Sequence, residues 1–578
     1  MLRNRNSTLL AFSGVSLLLL MPIGLFSTGA FFLAFFLLHL LIHCYMIGEG
    51  LRSLAASFQD DWKERAVFFL GIVLPMLMLV LLSSTPVINR DALIHHLAVP
   101  KWWISKGSIY EIPWHDWSYY PMLLQLGFTG FEKLGIPQLT AFYQASFLIP
   151  LAVSISHIAE NQIPAPLRRL GIIMVFTTPY FFVLGSSPYV DLPLASFGIA
   201  AISLLFEEEE QQTKQLVLAG IILGLLAGCK YNGLLFSLAA LGVWTVTQLR
   251  NFQIKHFSLL LCAFLLTACP WYLRNYLLVG NPVHPLFAAQ LGSNNTFALP
   301  AVATGESLAA LSLRNDPIEF VLTPFLMLLG FQGGDNAFGE GEMLSPLFIL
   351  IPFALFTKPR LLLWKAGIAL CVIYGAAALE LGGARIRYLS PLFGLAVLLS
   401  LASLTILRER WRNIVVNLGI AFHILIGLSY GVHTIVERDI LSVLSGEKTA
   451  KRYRNEKVTE SLVADAINEV LPKNAKVYLL YTGNRYYLYD RDVYNSGYYS
   501  DRTIIAWIKN PSRPIEDSFK LKGITHIALH RSRYEKTFAQ YRAKELLSKE
   551  ELERWNAFTR KHFKLLYEIG PYLIGEVQ

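Results

Sequence analysis

Long apolar runs dominate the chain, beginning near residues 8, 28, 66, 138, 170, 191, 215, 232, 256, 344, 363, 388 and 413 and separated by short polar breaks. A bilayer core of roughly 30 Å takes about 20 mostly apolar residues as an α-helix. The pattern therefore predicts about thirteen transmembrane helices, several of them short or interrupted by Pro or Gly. The runs are continuous rather than alternating, which does not fit a membrane β-barrel. Two long stretches break the rhythm. Residues 86–137 hold Trp102, Trp103, Tyr110, Trp114, Trp117, Tyr119 and Tyr120, with helical apolar spacing over Leu93–Ile104 and Pro121–Phe131. Such aromatic, amphipathic pieces predict helices in the headgroup plane. Residues 274–343 are rich in Gly, Asn and Pro, and Ile318–Phe331 predicts an interfacial or re-entrant piece rather than a further span.

From about Glu447 the pattern becomes that of a soluble domain. Glu460–Leu471 places Ala464, Ile467 and Leu471 on one helical face. Lys476–Leu480, Tyr486–Tyr489 and Ile524–Leu529 read as strands, with helices between and after them. The expected fold is thus an all-α polytopic membrane protein with interfacial helices in its first outer loop and a C-terminal soluble α/β domain. Residues 1–65 form two N-terminal helices and a loop, 66–435 the main membrane domain with outer loops 86–137 and 274–343, and 447–578 the exported domain.

Composition agrees: 54% of residues are hydrophobic and 16% charged, with a mean hydropathy of +0.44. The net charge of +9 could suggest nucleic acid. Its placement says otherwise. With the N-terminus taken as cytoplasmic, Arg3, Arg5, Arg52, Lys63, Arg65, Arg168, Arg169, Lys214, Arg250, Lys255, Lys358, Arg360, Lys365, Arg408, Arg410 and Arg412 all fall on inside loops. That is the positive-inside rule, and thirteen crossings then export the C-terminal domain. Arg3-Asn4-Arg5 before an apolar run could open a cleaved signal peptide. No small-x-small site precedes the second run, so a retained helix is expected. Cys44, Cys229, Cys262, Cys269 and Cys371 all lie in or beside apolar runs, which encodes no disulfide framework. The acidic run Glu207–Glu210 reads as a solvated inner face.

Candidate chemistry collects on the outer side. Asp91 and Asp191 sit where apolar runs break, and a carboxylate at a membrane boundary is costly unless it meets water, a partner or a substrate. Asp91 could take a proton from an attacking hydroxyl; the plain alternative is an interfacial helix N-cap. Asp191 also sits at a plausible N-cap, with Pro193 in the first turn. Lys230, Arg385 and Arg387 contradict the positive-inside trend, which points to an anionic ligand or to lipid headgroups. Arginine's planar fork suits phosphate oxygens. His95 and His96 are adjacent and would point about 100° apart on an α-helix, so at most one should face Asp91. Asp91, Asp191 and His95 are the candidates for a metal site. Gly333-Gly334-Asp335 and Gly339-Glu340-Gly341-Glu342 make an acidic outer loop that could act as a lid. The tyrosines of the exported domain (Tyr481, Tyr486, Tyr487, Tyr489, Tyr494, Tyr498 and Tyr499) could stack on sugars, though packing within the domain accounts for them more simply.

Several ordered blocks resemble the C-type, multi-spanning glycosyltransferases, in particular the bacterial branch related to dolichyl-phosphate-mannose protein mannosyltransferases. They are Asp91-Ala92-Leu93-x-x-His96-Leu97, Tyr119-Tyr120-Pro121, Tyr189-Val190-Asp191-Leu192-Pro193 and Lys230-Tyr231-Asn232-Gly233. Pro270-Trp271-Tyr272-x-Arg274-Asn275, Gly280-Asn281-Pro282-Val283-x-Pro285 and Arg385-x-Arg387-Tyr388-Leu389-x-Pro391 follow. Residues 1–65 add two helices ahead of the common core. The resemblance implies a catalytic role for Asp91, as base, and for Asp191. It implies donor-phosphate contacts from Lys230, Arg385, Arg387 and Tyr388, and substrate contacts from His96, Tyr120, Tyr231, Arg274, Asn275 and Asn281. The implied partners are a polyprenyl-phosphate sugar donor, a cell-envelope acceptor and membrane lipids, at a bacterial inner membrane. No cofactor is certain, and a divalent cation such as Mg or Mn is compatible. Ala92 stands where the eukaryotic branch has a second acid, which argues against protein O-mannosylation. The alternative is a transporter or flippase of lipid-linked glycans. Such a protein should show midplane charges and repeated, broken helices, and the sequence shows neither.

Overall fold

Each of the thirteen apolar runs meets a helical element in the computed structural model, which describes residues 5–59, 61–160, 162–206, 213–294, 343–357, 362–382, 385–494, 502–543 and 546–578. Ile318–Phe331, the acidic loop through Glu342 and the run Glu207–Glu210 lie outside the described residues. Among the described residues, nine helices are long and apolar enough to cross a membrane, from Arg5–Phe26 to Glu409–Glu437. Ala165–Thr177 and Pro179–Gly185 make a tenth, bent by 47°. The bend has a local cause. Pro179 cannot donate a backbone hydrogen bond, and Thr178 before it takes an extended conformation.

The other three runs fold as shorter elements: Asp191–Phe206, Thr213–Cys229 and Pro346–Phe356. Every residue of Asp191–Phe206 except Ser203 is buried, so this helix is sheathed by protein and need not match the lipid thickness. Pro346–Phe356 is a 3₁₀-helix whose 11 residues rise about 22 Å, more than an α-helix of that length would.

Apolar surface gains little by leaving lipid for another helix, so close packing through small residues has to hold the bundle. Gly220 and Gly224 of Thr213–Cys229 lie directly on Leu260, Phe264 and Thr267 of Ile254–Val279, with no room for a Cβ. Polar clasps dock the two N-terminal helices. Asn6 donates to the Pro150 carbonyl at 3.2 Å and to Ser154 at 2.9 Å. His39 bridges Ser16 and Tyr143, both at 2.9 Å, and His43 bridges Ser13 at 3.1 Å and Ser146 at 2.8 Å. Outside the helices, Thr28 N–H donates to the Gly107 carbonyl and Ile109 N–H to the Gly24 carbonyl, both at 2.7 Å. These two bonds tie the N-terminal pair to the loop of residues 86–137.

That loop departs from expectation in detail. Leu93–Ile104 is not one helix: a π-helical turn, Ala92–His96, precedes an α-helix, Ala98–Lys106. The second helix runs Leu123–Lys133, and all of Leu123–Phe131 is buried. Trp103 and Tyr119 are likewise buried, and Trp102 packs edge-on against Trp114 at 4.9 Å. The aromatic residues thus serve protein packing as well as any headgroup layer.

The C-terminal domain carries a five-stranded sheet: β1 (Lys476–Leu480), β2 (Asp492–Tyr494), β3 (His526–His530), β4 (Phe563–Ile569) and β5 (Tyr572–Val577), in the order β2-β1-β3-β5-β4. β2, β1 and β3 are mutually parallel; β5 is antiparallel to β3 and to β4. Tyr486–Tyr489 is corrected from a strand to a 3₁₀ turn, Tyr486–Leu488. The hairpin β4–β5 is an addition to the expected strands. Its outer strand carries no period-2 pattern, since the consecutive Leu565, Leu566 and Tyr567 are all exposed. One sheet face is covered by helices 502–509, 515–521, 531–543 and 549–562. The other shares a core with Leu93, Ile94 and Ala98, so the domain rests on the segment that follows Asp91. Tyr486 and Tyr489 are packed in that core, and Tyr487 donates to Glu132 at 2.9 Å.

Candidate functional site

Both aspartates could have been simple helix caps. Neither is. Asp91 precedes the π-turn but makes no capping bond; its carboxylate accepts from Arg387 Nη1 at 2.5 Å. Asp191 is the first residue of its helix, and the Leu192 N–H is satisfied instead by Gln144 Oε1 at 3.1 Å. The Gln144 amide also donates to the carbonyls of Leu184 and Ser187. With the cap supplied by another residue, Asp191 Oδ1 faces Lys230 Nζ at 3.4 Å, and Oδ2 has no hydrogen-bond partner among the described residues. Asn89 Nδ2 donates to Ser187 Oγ at 2.8 Å, joining the two acid-bearing loops.

Each cation is placed by a break in its helix. Lys230 is a single extended residue (φ −171°, ψ 159°) between Thr213–Cys229 and Tyr231–Gln248. Gly233 allows that tight return, since a Cβ there would strike the Leu226 carbonyl. Arg385 immediately precedes the 3₁₀ segment Ile386–Leu392, and in such a helix residues i and i+3 stack. Arg385 therefore reaches Tyr388, with Nη1 3.3 Å from the phenol oxygen. The Tyr388 ring is the common floor, 5.4 Å from Lys230 Nζ, 5.8 Å from the Arg385 guanidinium and 5.5 Å from that of Arg387. Tyr374 and Asn232 hold the Tyr388 carbonyl at 2.5 and 3.5 Å. Arg387 also lies 5.7 Å from the Tyr189 ring.

Three cations and two carboxylates thus share one cluster, Asp191 buried and the other four partly exposed, with a net charge of +1 when the histidines are neutral. Burial alone would raise the Asp91 pKa, but Arg387 and the adjacent histidines outweigh it and hold the carboxyl well below its usual range. His95 is pushed down to about 4 and His96 well below its ordinary value, in both cases chiefly by burial. Both rings feel the Asp91 charge, although an α-helical spacing would let only one face it. The π-turn brings their centroids to 4.0 Å. His96 Nδ1 meets the Gln125 amide at 2.6 Å; His95 Nδ1 has no hydrogen-bond partner among the described residues.

The remaining predicted residues build the wall. Tyr231 donates to the His284 carbonyl at 2.6 Å and packs edge-on against Tyr120 at 4.9 Å. Asn275 Nδ2 donates to the Tyr119 carbonyl at 2.6 Å and Arg274 Nη1 to that of Ser118 at 3.1 Å. Asn281 is spent locally, donating to Leu286 O and accepting from Val283 N–H, both at 3.0 Å. Arg274, Asn275 and Asn281 therefore clamp backbone in this structure. Among the described residues no three His, Cys, Asp or Glu side chains converge on one point. Each carboxylate faces a cation instead. Gln144, Asn89, Gln125 and Tyr374 were missed; the signal for Gln144 was a lone amide inside an apolar run.

No family model and no curated protein matches the chain. Solved structures do. ArnT from Cupriavidus metallidurans bound to undecaprenyl phosphate superposes with a TM-score of 0.55 at 12% identity, over 88% of this chain and 97% of that one. The same protein in the apo state gives 0.55 at 14% identity, over 89% and 98%. The chain shares its fold with ArnT. The oligosaccharyltransferase from Archaeoglobus fulgidus is also found, with a TM-score of 0.46 at 11% identity over 82% of this chain and 69% of that one. This is a multi-pass membrane protein by its apolar helices and by the fold they build.

Proposed function

We propose that the chain is an integral-membrane glycosyltransferase that moves a sugar from a polyprenyl-phosphate donor to a cell-envelope acceptor on the extracytoplasmic face. One observation carries the reading: breaks in separate helices bring Asp91 and Asp191 into one cluster with Lys230, Arg385, Arg387 and Tyr388. Carboxylates and anion-binding cations must be neighbours if one group is to deprotonate a nucleophile while others neutralise a phosphate leaving group. The likeness to a fold whose solved example holds undecaprenyl phosphate supports the same donor class.

The step follows from these positions. The acceptor hydroxyl oxygen attacks the anomeric carbon and its proton passes to Asp91. The bond from that carbon to the phosphate oxygen breaks, and its electron pair leaves with the polyprenyl phosphate, so configuration inverts. Lys230, Arg385 and Arg387 balance the charge that grows on the departing phosphate, and Asp191 orients Lys230. In vitro transfer from defined polyprenyl-phosphate sugars, with mass analysis of the product, tests the assignment. A general base contributes about 10²–10⁴-fold, so Asp91→Asn should cut transfer by that order with the protein still folded. Transfer at the wild-type rate would reject Asp91 as base.

A further inference from the structure

If Asp91 is the base, its partner is a problem, because a carboxylate paired with a buried guanidinium is a poor proton acceptor. Arg387 Nη1 lies 2.5 Å from Asp91 Oδ2, and each side chain is only 19% exposed. The rings of Tyr189 and Tyr388 flank the guanidinium at 5.7 and 5.5 Å, leaving its N–H edge for anions, and that edge holds Asp91. Lys230 is likewise engaged by Asp191 at 3.4 Å, in a site where its side chain is 14% exposed. A phosphate that reaches these cations meets two carboxylates already on them.

We propose that the donor phosphate and the two aspartates compete for the same cations, so that donor binding is what releases Asp91 to act as base. This rests on the lipid-phosphate reading above and adds to it an order of events. Arg387 turns its edge from Asp91 to the phosphate, Lys230 shifts from Asp191 toward the same oxygens, and Tyr388, common to all three cations, is the pivot. Once Arg387 is engaged elsewhere, the largest interaction opposing burial is gone and the affinity of Asp91 for a proton rises. Asp91 is thus freed only while a lipid phosphate occupies the cations, which suppresses proton transfer in the empty site. The product, a phosphate monoester with one more ionisable oxygen than the donor diester, holds the cations at least as well. Its departure lets the ion pairs re-form.

The consequence is opposite in sign to that of a carboxylate that helps bind the donor. If Asp91 competes with phosphate, Asp91→Asn leaves Arg387 unclaimed, and undecaprenyl phosphate in phosphatidylcholine nanodiscs should bind about tenfold more tightly than to wild type. Asp191→Asn should tighten binding in the same direction, and Arg387→Gln should weaken it. Unchanged or weaker binding by Asp91→Asn, with wild type binding the lipid, overturns the exchange and leaves the donor class standing. Failure of the wild type to bind the lipid at all removes both. If the Asp91 variant does not fold, infrared difference spectra of wild type labelled at aspartate carboxyl carbon decide. A carboxylate band that shifts on adding the lipid supports the exchange, and an unmoved one rejects it.

Discussion

Arg387→Gln removes the positive partner of a carboxylate that folding has already taken out of water. With charge centres about 4 Å apart and an effective dielectric near 20, the attraction is about 4 kcal/mol. Breaking a buried pair from one side costs about 3–5 kcal/mol because the other charge is left uncompensated. The two figures agree, and 19% exposure of each side chain places the pair nearer the buried case. The loss should depend on pH in a definite direction. In the wild type the Asp91 pKa is lowered, so its contribution is present above the ordinary carboxylate value and disappears as pH falls through the folded-state value. In Arg387→Gln the largest interaction that lowers it is gone, so the variant should lose less stability than the wild type as pH falls below the ordinary carboxylate value of about 4. Asp91→Asn in the same chain removes the stranded charge. The double variant should therefore be more stable than the sum of the single losses predicts, by at least about 1.5 kcal/mol. Unfolding in mixed micelles, followed by tryptophan fluorescence across the four proteins, measures this coupling. Losses that add to within about 0.5 kcal/mol would mean that the pair is not coupled, and the electrostatic account of the site would fail.

Other outcomes can be checked alongside. Gly224→Leu forces a side chain into the backbone of Ile254–Val279 and should cost more than about 3 kcal/mol or prevent insertion, read by the yield of folded protein. Lys101 Nζ donates to the carbonyls of Tyr487 and Tyr489 and to Asp490, at 2.9, 3.0 and 2.8 Å; Lys101→Met should loosen the C-terminal domain and increase proteolysis near residues 486–490. His95 is held neutral with a pKa of about 4 against 6.5 unfolded, so its contribution is full above pH 6.5 and falls as pH drops toward 4. The loss is about 2 kcal/mol at pH 5, and His95→Gln should flatten that slope in unfolding between pH 7 and 5. Gln144→Leu leaves the Leu192 N–H uncapped and should lower transfer without changing the chain's insertion, measured in the same vesicles.

Much of this was legible from apolar patterning alone, because lipid allows so few solutions. A run of the right length must be a helix, and the thirteen runs did become helical elements. The strand Lys476–Leu480 and the helix Glu460–Leu471 were legible for the same reason of periodicity, within a residue or so at each end. Local geometry was not. Tyr486–Leu488 reads as a strand by composition and turns as a 3₁₀ segment because its side chains enter the core under Leu93 and Ile94. The π-turn at Ala92–His96 has no signature in residue types, yet within it the His95 and His96 rings lie 4.0 Å apart.

The sequence by itself determined that the chain crosses a membrane, that a mixed α/β domain follows, and that Asp91, Asp191, Lys230, Arg385 and Arg387 break the apolar pattern on one side. Only the tertiary structure decided how they pair: Asp91 with Arg387, 296 positions apart, and Asp191 with Lys230, 39 apart. It also gave the capping duty to Gln144, and so left Asp191 open to a cation. The physical reason is that periodicity reports which face of an element meets apolar surroundings. Which charge meets which depends on how helices cross, and small residues such as Gly220, Gly224 and Gly233 set that by allowing backbones to touch.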